Sequence, residues 1–581
     1  MITEATLVNR VENETENAFL PNSKHDYEPN EDVLLKAQTE EKARRMTERA
    51  KEKKKQQPIN GNLSSIKIIP GQLHAQVDAS EIVLINNNSG IYQRAGQLVR
   101  IVTEKTKPNG RKLKKIKDSE GKERDPIVRA EDALVITEAD PIYLSEILGK
   151  LAVWTRFDER KKDYIVKDCP IIVPKTLIAR KEWDLPVLTG IIQAPTLRPN
   201  GSILEIPGYD EETGLFFDPG HTNFPSIKSF PTYDDAITAR DKLLKLISEF
   251  PFEKEEDKSV AISAILTGLV RKTLRTAPLH GFTAPIMGTG KSLLATVVSY
   301  MTTGHSPCML SQAPDEAEEQ KRLLSVLMEG DAIICYDNIE RSFGSAALCS
   351  VLTEPMYKGR VLGMSGTRSV PTNALFMATG NNLTFIGDIS TRAVLCRLDP
   401  ECERPDERPF SIDLHKYIPE HRGELVQAAL TILRAYVVAS KPKQEIAQFG
   451  RFEEWSDLVR SAIIWIDMED PCASRKEIES ADPVRQELGN LLSAWYEVIG
   501  DDSLQIKNVV SRTKNLIENG KSEKAEILLE CLKEFSGHKE INTRSLGEKL
   551  TQFKNRIENG YRIENPSTYQ GAKLWRVKKT T

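Results

Sequence analysis

The residues Pro285-Ile286-Met287-Gly288-Thr289-Gly290-Lys291-Ser292 follow an apolar run that begins at Gly281 and open the helix-forming stretch KSLLATVVSYM. Glycines in such a bend let backbone amides turn inward around phosphate oxygens at the positively polarised end of a helix. A lysine placed next neutralises the outer phosphates, and the adjoining hydroxyl binds Mg²⁺. The chemistry expected of Gly288, Thr289, Gly290, Lys291 and Ser292 is therefore the binding of ATP with Mg²⁺. The first position of the pattern G-x-x-x-x-G-K-[ST] holds Pro285 rather than glycine.

Downstream, Asp331 to Asp337 reads DAIICYD, an apolar strand that ends in a carboxylate, as a Mg²⁺ ligand beside a phosphate loop requires. Asp337 and Ser292 are the expected metal residues. The next residue, Asn338, carries an amide, which cannot take a proton from water, so a base has to come from Glu340 or from one of Glu316, Glu318 and Glu319. A third apolar run, ALFMAT, ends at Gly380-Asn381-Asn382 and puts the Asn381 amide where it could orient water. In GDISTRAVLCRLD, Arg392 precedes another apolar strand and could serve as an arginine finger across a subunit boundary, with Arg397 as the alternative.

These residues need elements to hold them. From Ser259 to about residue 440, apolar runs of strand length alternate with helical segments, the signature of a parallel, doubly wound α/β core. Residues 63–250 show short β-like runs between turn clusters such as Pro108-Asn109-Gly110, which predicts an α+β domain. Within it, Glu104 to Arg124 holds nine basic and four acidic residues, a solvent-exposed hairpin or loop. Residues 441–540 are mainly helical. Ile541 to Thr581 carries nine basic and three acidic side chains, and its helix followed by two short strands resembles a winged helix, with Lys549, Lys554, Arg556 and Lys573 expected to touch DNA. Residues 1–62 form a charged tail in which Glu41 to Lys55 holds eight basic and three acidic residues, too polar to build a core.

The 581 residues are enough for three or four domains, and the net charge of −4 restricts any nucleic-acid binding to local basic patches. No apolar stretch approaches the ~18 residues of a membrane-spanning helix, and no secretory signal opens the chain, so a cytoplasmic protein is expected. The eight cysteines form no C-x2-C pair, which argues against a zinc ribbon, and no metal-carboxylate set of a primase stands in the first 250 residues.

Taken in order, APLHGFTAP, GTGKSLL, IICYDNIERSFGSAALCSVLTEP, KGRVLGMSG, ALFMATGNN, GDISTRAVLCRLD and GRFEEWSDLVRSAIIW resemble the AAA+ ATPases related to superfamily 3 helicases. The likeness is to the helicase portions of phage, plasmid and genomic-island replication proteins, and it spans about residues 185 to 475. It implies an α/β P-loop AAA+ core with an N-terminal α+β domain and a C-terminal helical plus winged-helix-like region. It further implies a homo-oligomer, a hexameric ring moving along DNA with ATP held between subunits, and replication proteins as further partners. Lys291 and Ser292 then take the Walker A roles, Asp337 the Walker B role, Asn381 the sensor role and Arg392 the finger. The hairpin that such rings point into the pore corresponds to Tyr357 to Thr372, with Lys358, Arg360 and Arg368 on backbone phosphates. Pro285, Asn338 and Thr391 depart from the pattern of these relatives; Pro285 and Asn338 suggest a degenerate nucleotide-binding scaffold, and an ATP-gated initiator or loader that does not unwind processively is a further reading.

Overall fold

The computed structural model describes residues 63–103, 116–117, 123–124, 127–130, 132–360, 366–408, 410–520, 522–537 and 540–580. The expected tail, 1–62, and the Pro108-Asn109-Gly110 turn lie outside them. Inside the basic segment, Ile116–Lys117 pairs antiparallel with Glu123–Arg124.

The centre of the molecule is one sheet. Its strands are β1 (Ile127–Val128), β2 (Leu279–Ala284), β3 (Cys308–Leu310) and β4 (Ile333–Ile339); β5 (Met356–Arg360) and β6 (Thr367–Pro371) form a separate hairpin; β7 (Leu375–Asn381) and β8 (Ala393–Arg397) complete the sheet. The order is β8-β2-β7-β4-β3-β1. Strands β2, β3, β4, β7 and β8 run parallel, and β1 joins the β3 edge antiparallel. A parallel sheet covered on both faces needs apolar residues on both, which is why β2 and the first four residues of β4 are buried without alternation. Helices α1 (Glu255–Val270), α2 (Lys291–Thr303), α3 (Glu316–Glu329), α4 (Ala346–Thr353) and α5 (Leu414–Val438) supply the cover. The mixed α/β architecture expected from the alternation is present.

This core runs in sequence from Ala194 to Ile478. The boundaries expected at residues 250 and 440 fall inside it, because the helix Tyr233–Leu246 packs on α5 and Trp455 is buried against α1, donating to Thr267 at 2.8 Å. A second core, Ile66 to Leu185, belongs to the N-terminal unit, where the sheet of Ser64–Lys67, Ala152–Asp158 and Asp163–Lys167 carries helices on one face. That unit is tied to the central sheet by Arg129, which grips Asp331 at 2.6 and 2.9 Å and reaches Glu329 at 2.7 Å. Arg94 adds a bond to the Leu327 carbonyl at 3.0 Å.

A third core, Leu488 to Val577, crosses the boundary expected at 540. It joins α6 (Pro483–Ile499), β9 (Leu504–Gln505), α7 (Ile506–Glu518), α8 (Glu523–Ser536), α9 (Thr543–Gln552), β10 (Tyr561–Glu564) and β11 (Ala572–Lys579). Strands β9 and β10 flank β11, both antiparallel, and Trp495 and Trp575 fill the interior. Among the described residues, no helix is long and apolar enough to cross a membrane.

Candidate functional site

The loop from Pro285 to Gly290 leaves the carboxyl end of β2 and feeds the first turn of α2. Gly288 and Gly290 take φ of +77° and +105°, a left-handed backbone that L side chains rarely adopt. A Cβ at Gly290 would also come 3.2 Å from the Phe250 ring, so the two glycines are needed where they stand. Pro285 is not among the residues with positive φ, which explains why the pattern's first glycine can be dispensed with here. Lys291 is buried and donates to the Ile286 carbonyl at 2.8 Å, holding its ammonium inside the curve of the loop. Burial lowers the pKa of that ammonium, and the Asp337 carboxylate opposes the shift.

Asp337 sits at the carboxyl end of β4, half-buried, and receives two hydroxyls on one oxygen: Ser292 Oγ at 2.8 Å and Thr379 Oγ1 at 2.6 Å. Ser292 and Asp337 together are the hard oxygen donors that Mg²⁺ accepts, and the inward-turned loop with its buried cation suits a polyphosphate. These residues therefore fit ATP with Mg²⁺. Thr379 escaped the sequence reading; its signal was a polar residue, 1% exposed, two places before Asn381 in an otherwise apolar strand. Asn381 itself ends β7 in register with Ala284, the residue before the loop, and is exposed.

The strand register shifts after Tyr336, and Asn338 in the irregularity has φ of +53°. Its amide hydrogen bonds to Thr379 Oγ1 at 3.1 Å and its side chain donates to Glu340 at 3.2 Å. Of the four glutamates considered as base, Glu340 is exposed beside the site. Glu316 is spent on α4, accepting from Ala347 N at 2.6 Å, and Glu318 pairs with Arg322 at 3.1 Å. Glu319 is buried under the sheet, receives the Tyr336 hydroxyl, and has its pKa pushed up to about 7, chiefly by burial.

Arg392 stands at the other end of the sheet. It precedes β8, whose register begins Leu279↔Ala393, so the six residues of β2, about 20 Å at ~3.3 Å each, separate it from the loop of its own chain. Arg392 is 8% exposed, its guanidinium lies 3.0 Å from Asp388, and the residue borders a cavity of about 610 Å³ that Glu316, Cys349 and Glu354 also line. Arg397, in register with Thr283, lies on the loop's edge and pairs with Glu477 at 3.2 Å. A cavity of about 230 Å³ adjoins it and reaches Pro285 and Asn382.

The β5–β6 hairpin divides the cations grouped in the sequence. Lys358 and Arg360 are exposed opposite Ser369 and Thr367, whereas Arg368 lies opposite Gly359 on the face turned to α3, with its Nε buried. Alternation along a strand forces the split. The tip, 361–365, lies outside the described residues. In the C-terminal unit Lys549 pairs with Glu487 at 3.6 Å and Arg556 with Glu558 at 2.9 Å, while Lys554 and Lys573 are exposed. Lys573 donates to Thr551 at 3.0 Å, which brings β11 against the end of α9.

No protein-family model matches the chain, and no curated protein matches it. Among solved structures it is similar to the A form of the apo NrS-1 C-terminal region, at 14% identity over 76% of this chain and 100% of that one, with a TM-score of 0.35. It is similar to SCCmec type IV Cch, described as an active helicase, at 13% identity over 77% of this chain and 90% of that one, with a TM-score of 0.33. The JCV helicase follows at 12% identity, 43% and 73% coverage and a TM-score of 0.18.

Proposed function

We propose that the protein is an ATP- and Mg²⁺-dependent DNA helicase or translocase with an AAA+ core, working as a hexameric ring in the cytoplasm. It serves replication of a phage, plasmid or integrated element, alongside other replication proteins. The observation that carries this reading is the junction of the glycine loop, Ser292 and Asp337 at one edge of a sheet whose parallel strands run β8-β2-β7-β4-β3. When bound, Mg²⁺ would neutralise the phosphates and orient them. Lys291 releases the Ile286 carbonyl to meet the outer phosphates, and Asn381 orients water. Glu340, held by the Asn338 amide, takes the proton. Arg392 reaches a neighbouring protomer's nucleotide, which its distance from its own loop supports. Lys358 and Arg360 follow the DNA backbone in the pore, and the winged-helix-like C-terminal unit meets duplex through Lys554 and Lys573, with Lys549 and Arg556 in support.

The test is strand separation on a forked duplex with ATP and Mg²⁺. ATP-dependent unwinding by the purified ring supports the reading; nucleotide-dependent DNA binding without unwinding replaces it by the initiator or loader. One observation favours a different reading, the degenerate nucleotide-binding scaffold: an amide in a left-handed backbone occupies the position after Asp337, and turnover near zero with ATP still bound is the result that would favour it.

A further inference from the structure

The three-stranded sheet of the N-terminal unit has one face on its helices, where Trp154 is 1% exposed, and one face open. Pairing of Thr155 with Val166 and of Phe157 with Tyr164, together with Lys67 opposite Thr155, puts these five side chains on the open face. Phe157, Tyr164 and Val166 are 48%, 45% and 72% exposed. The two rings meet edge to face at 5.4 Å, and the Lys67 ammonium lies 4.8 Å from the Tyr164 ring centre. Two aromatic rings and a valine exposed together beside a cation form an apolar patch of the kind that marks an interaction site.

The charge around them identifies the occupant. Arg156 to Lys167 holds five basic and three acidic residues, and the turn that joins the two strands is Glu159-Arg160-Lys161-Lys162. Asp158 is spent on that turn, accepting from the amides of Arg160 and Lys161 at 2.9 and 3.2 Å. Among the described residues no ion pair engages Lys67, Arg160, Lys161 or Lys162, so these cations are free to meet phosphates. Aromatic faces for bases and cations for the backbone make up a platform for unpaired strands.

We propose that this face binds single-stranded DNA, with bases stacked on Phe157 and Tyr164 and the backbone drawn to Lys67 and the 160–162 turn. The inference rests on the reading of DNA as the partner and adds a second contact outside the ring core.

The test uses the full chain without nucleotide and a fluorescein-labelled oligo(dT) of about 20 nucleotides, read by anisotropy. Phe157→Ala/Tyr164→Ala is expected to bind at least about tenfold more weakly, and Tyr164→Phe to keep wild-type affinity. A photoreactive thymine in the oligonucleotide should crosslink to the peptide around residues 157–164 in the wild type, a readout that does not depend on how the variants fold. Unchanged affinity in the double variant, crosslinks only elsewhere, equal competition by duplex of the same length, or a self-association that the double variant abolishes would each overturn the proposal. A failed platform leaves DNA-stimulated ATP turnover intact in the double variant, whereas a failed motor shows no turnover in the wild type.

Discussion

The Ser292 hydroxyl donates to the Asp337 carboxylate at 2.8 Å, joining the first turn of α2 to the end of β4 across the intervening strand β7. Thr379, from β7, donates to the same oxygen, so three elements meet on one carboxylate. The junction holds Ser292 and Asp337 together beside the glycine loop, where the proposed Mg²⁺ would be held.

Asn338 holds φ of +53°, which asparagine tolerates and glutamate pays for at about 1 kcal/mol. Asn338→Glu should melt lower than wild type and fail to raise turnover, while Asn338→Gly keeps stability. Glu340→Gln should cut ATP turnover by about 100-fold with nucleotide affinity unchanged. Thermal melts and steady-state turnover check both.

Arg392 lies a full strand away from the loop of its own chain. Arg392→Ala and Lys291→Ala should each lose about 1,000-fold in turnover alone. Mixed, they should recover a measurable fraction of it, since some interfaces then combine an intact loop with an intact arginine. Turnover of the mixture against the sum of its parts is the readout.

On the β5–β6 hairpin, Lys358→Ala and Arg360→Ala should each flatten the salt dependence of DNA binding by about 0.7 in log–log slope. Arg368→Ala, facing α3, should leave the slope unchanged and lower the melting temperature. Affinities measured across a salt series separate the two.

Glu319 keeps its proton up to about 7 in the folded chain, while in the unfolded chain the carboxyl ionises near ~4.3. The native state therefore binds more protons between these values, so stability is lost as pH rises through that window and levels off above it. Glu319→Gln should shrink the fall in melting temperature between acidic and neutral pH, relative to wild type.

The contiguous parts of this site were legible in the sequence. The loop, Asp337 and Asn381 each terminate an apolar run, and a parallel sheet brings such ends to one edge whatever the intervening loops do. Strand register was not legible: only the pairing of Arg368 with Gly359 shows that it faces α3, and only the fold shows Arg392 at the opposite edge. The core that the stretch from Ala194 to Phe250 enters was not legible either, because its apolar residues do not announce their partners, which lie in the central sheet and its helices. Lys549 and Arg556 stand with the other C-terminal cations in the sequence, and only the fold places Glu487 and Glu558 beside them.

The central claim is that the loop ahead of Lys291 holds the phosphates of a nucleotide whose cleavage drives movement on DNA. ATP turnover with and without single-stranded DNA, measured on wild type beside Lys291→Ala, tests it most directly. The account predicts DNA-stimulated turnover in the wild type and its loss in the variant; equal turnover in the two proteins would contradict it.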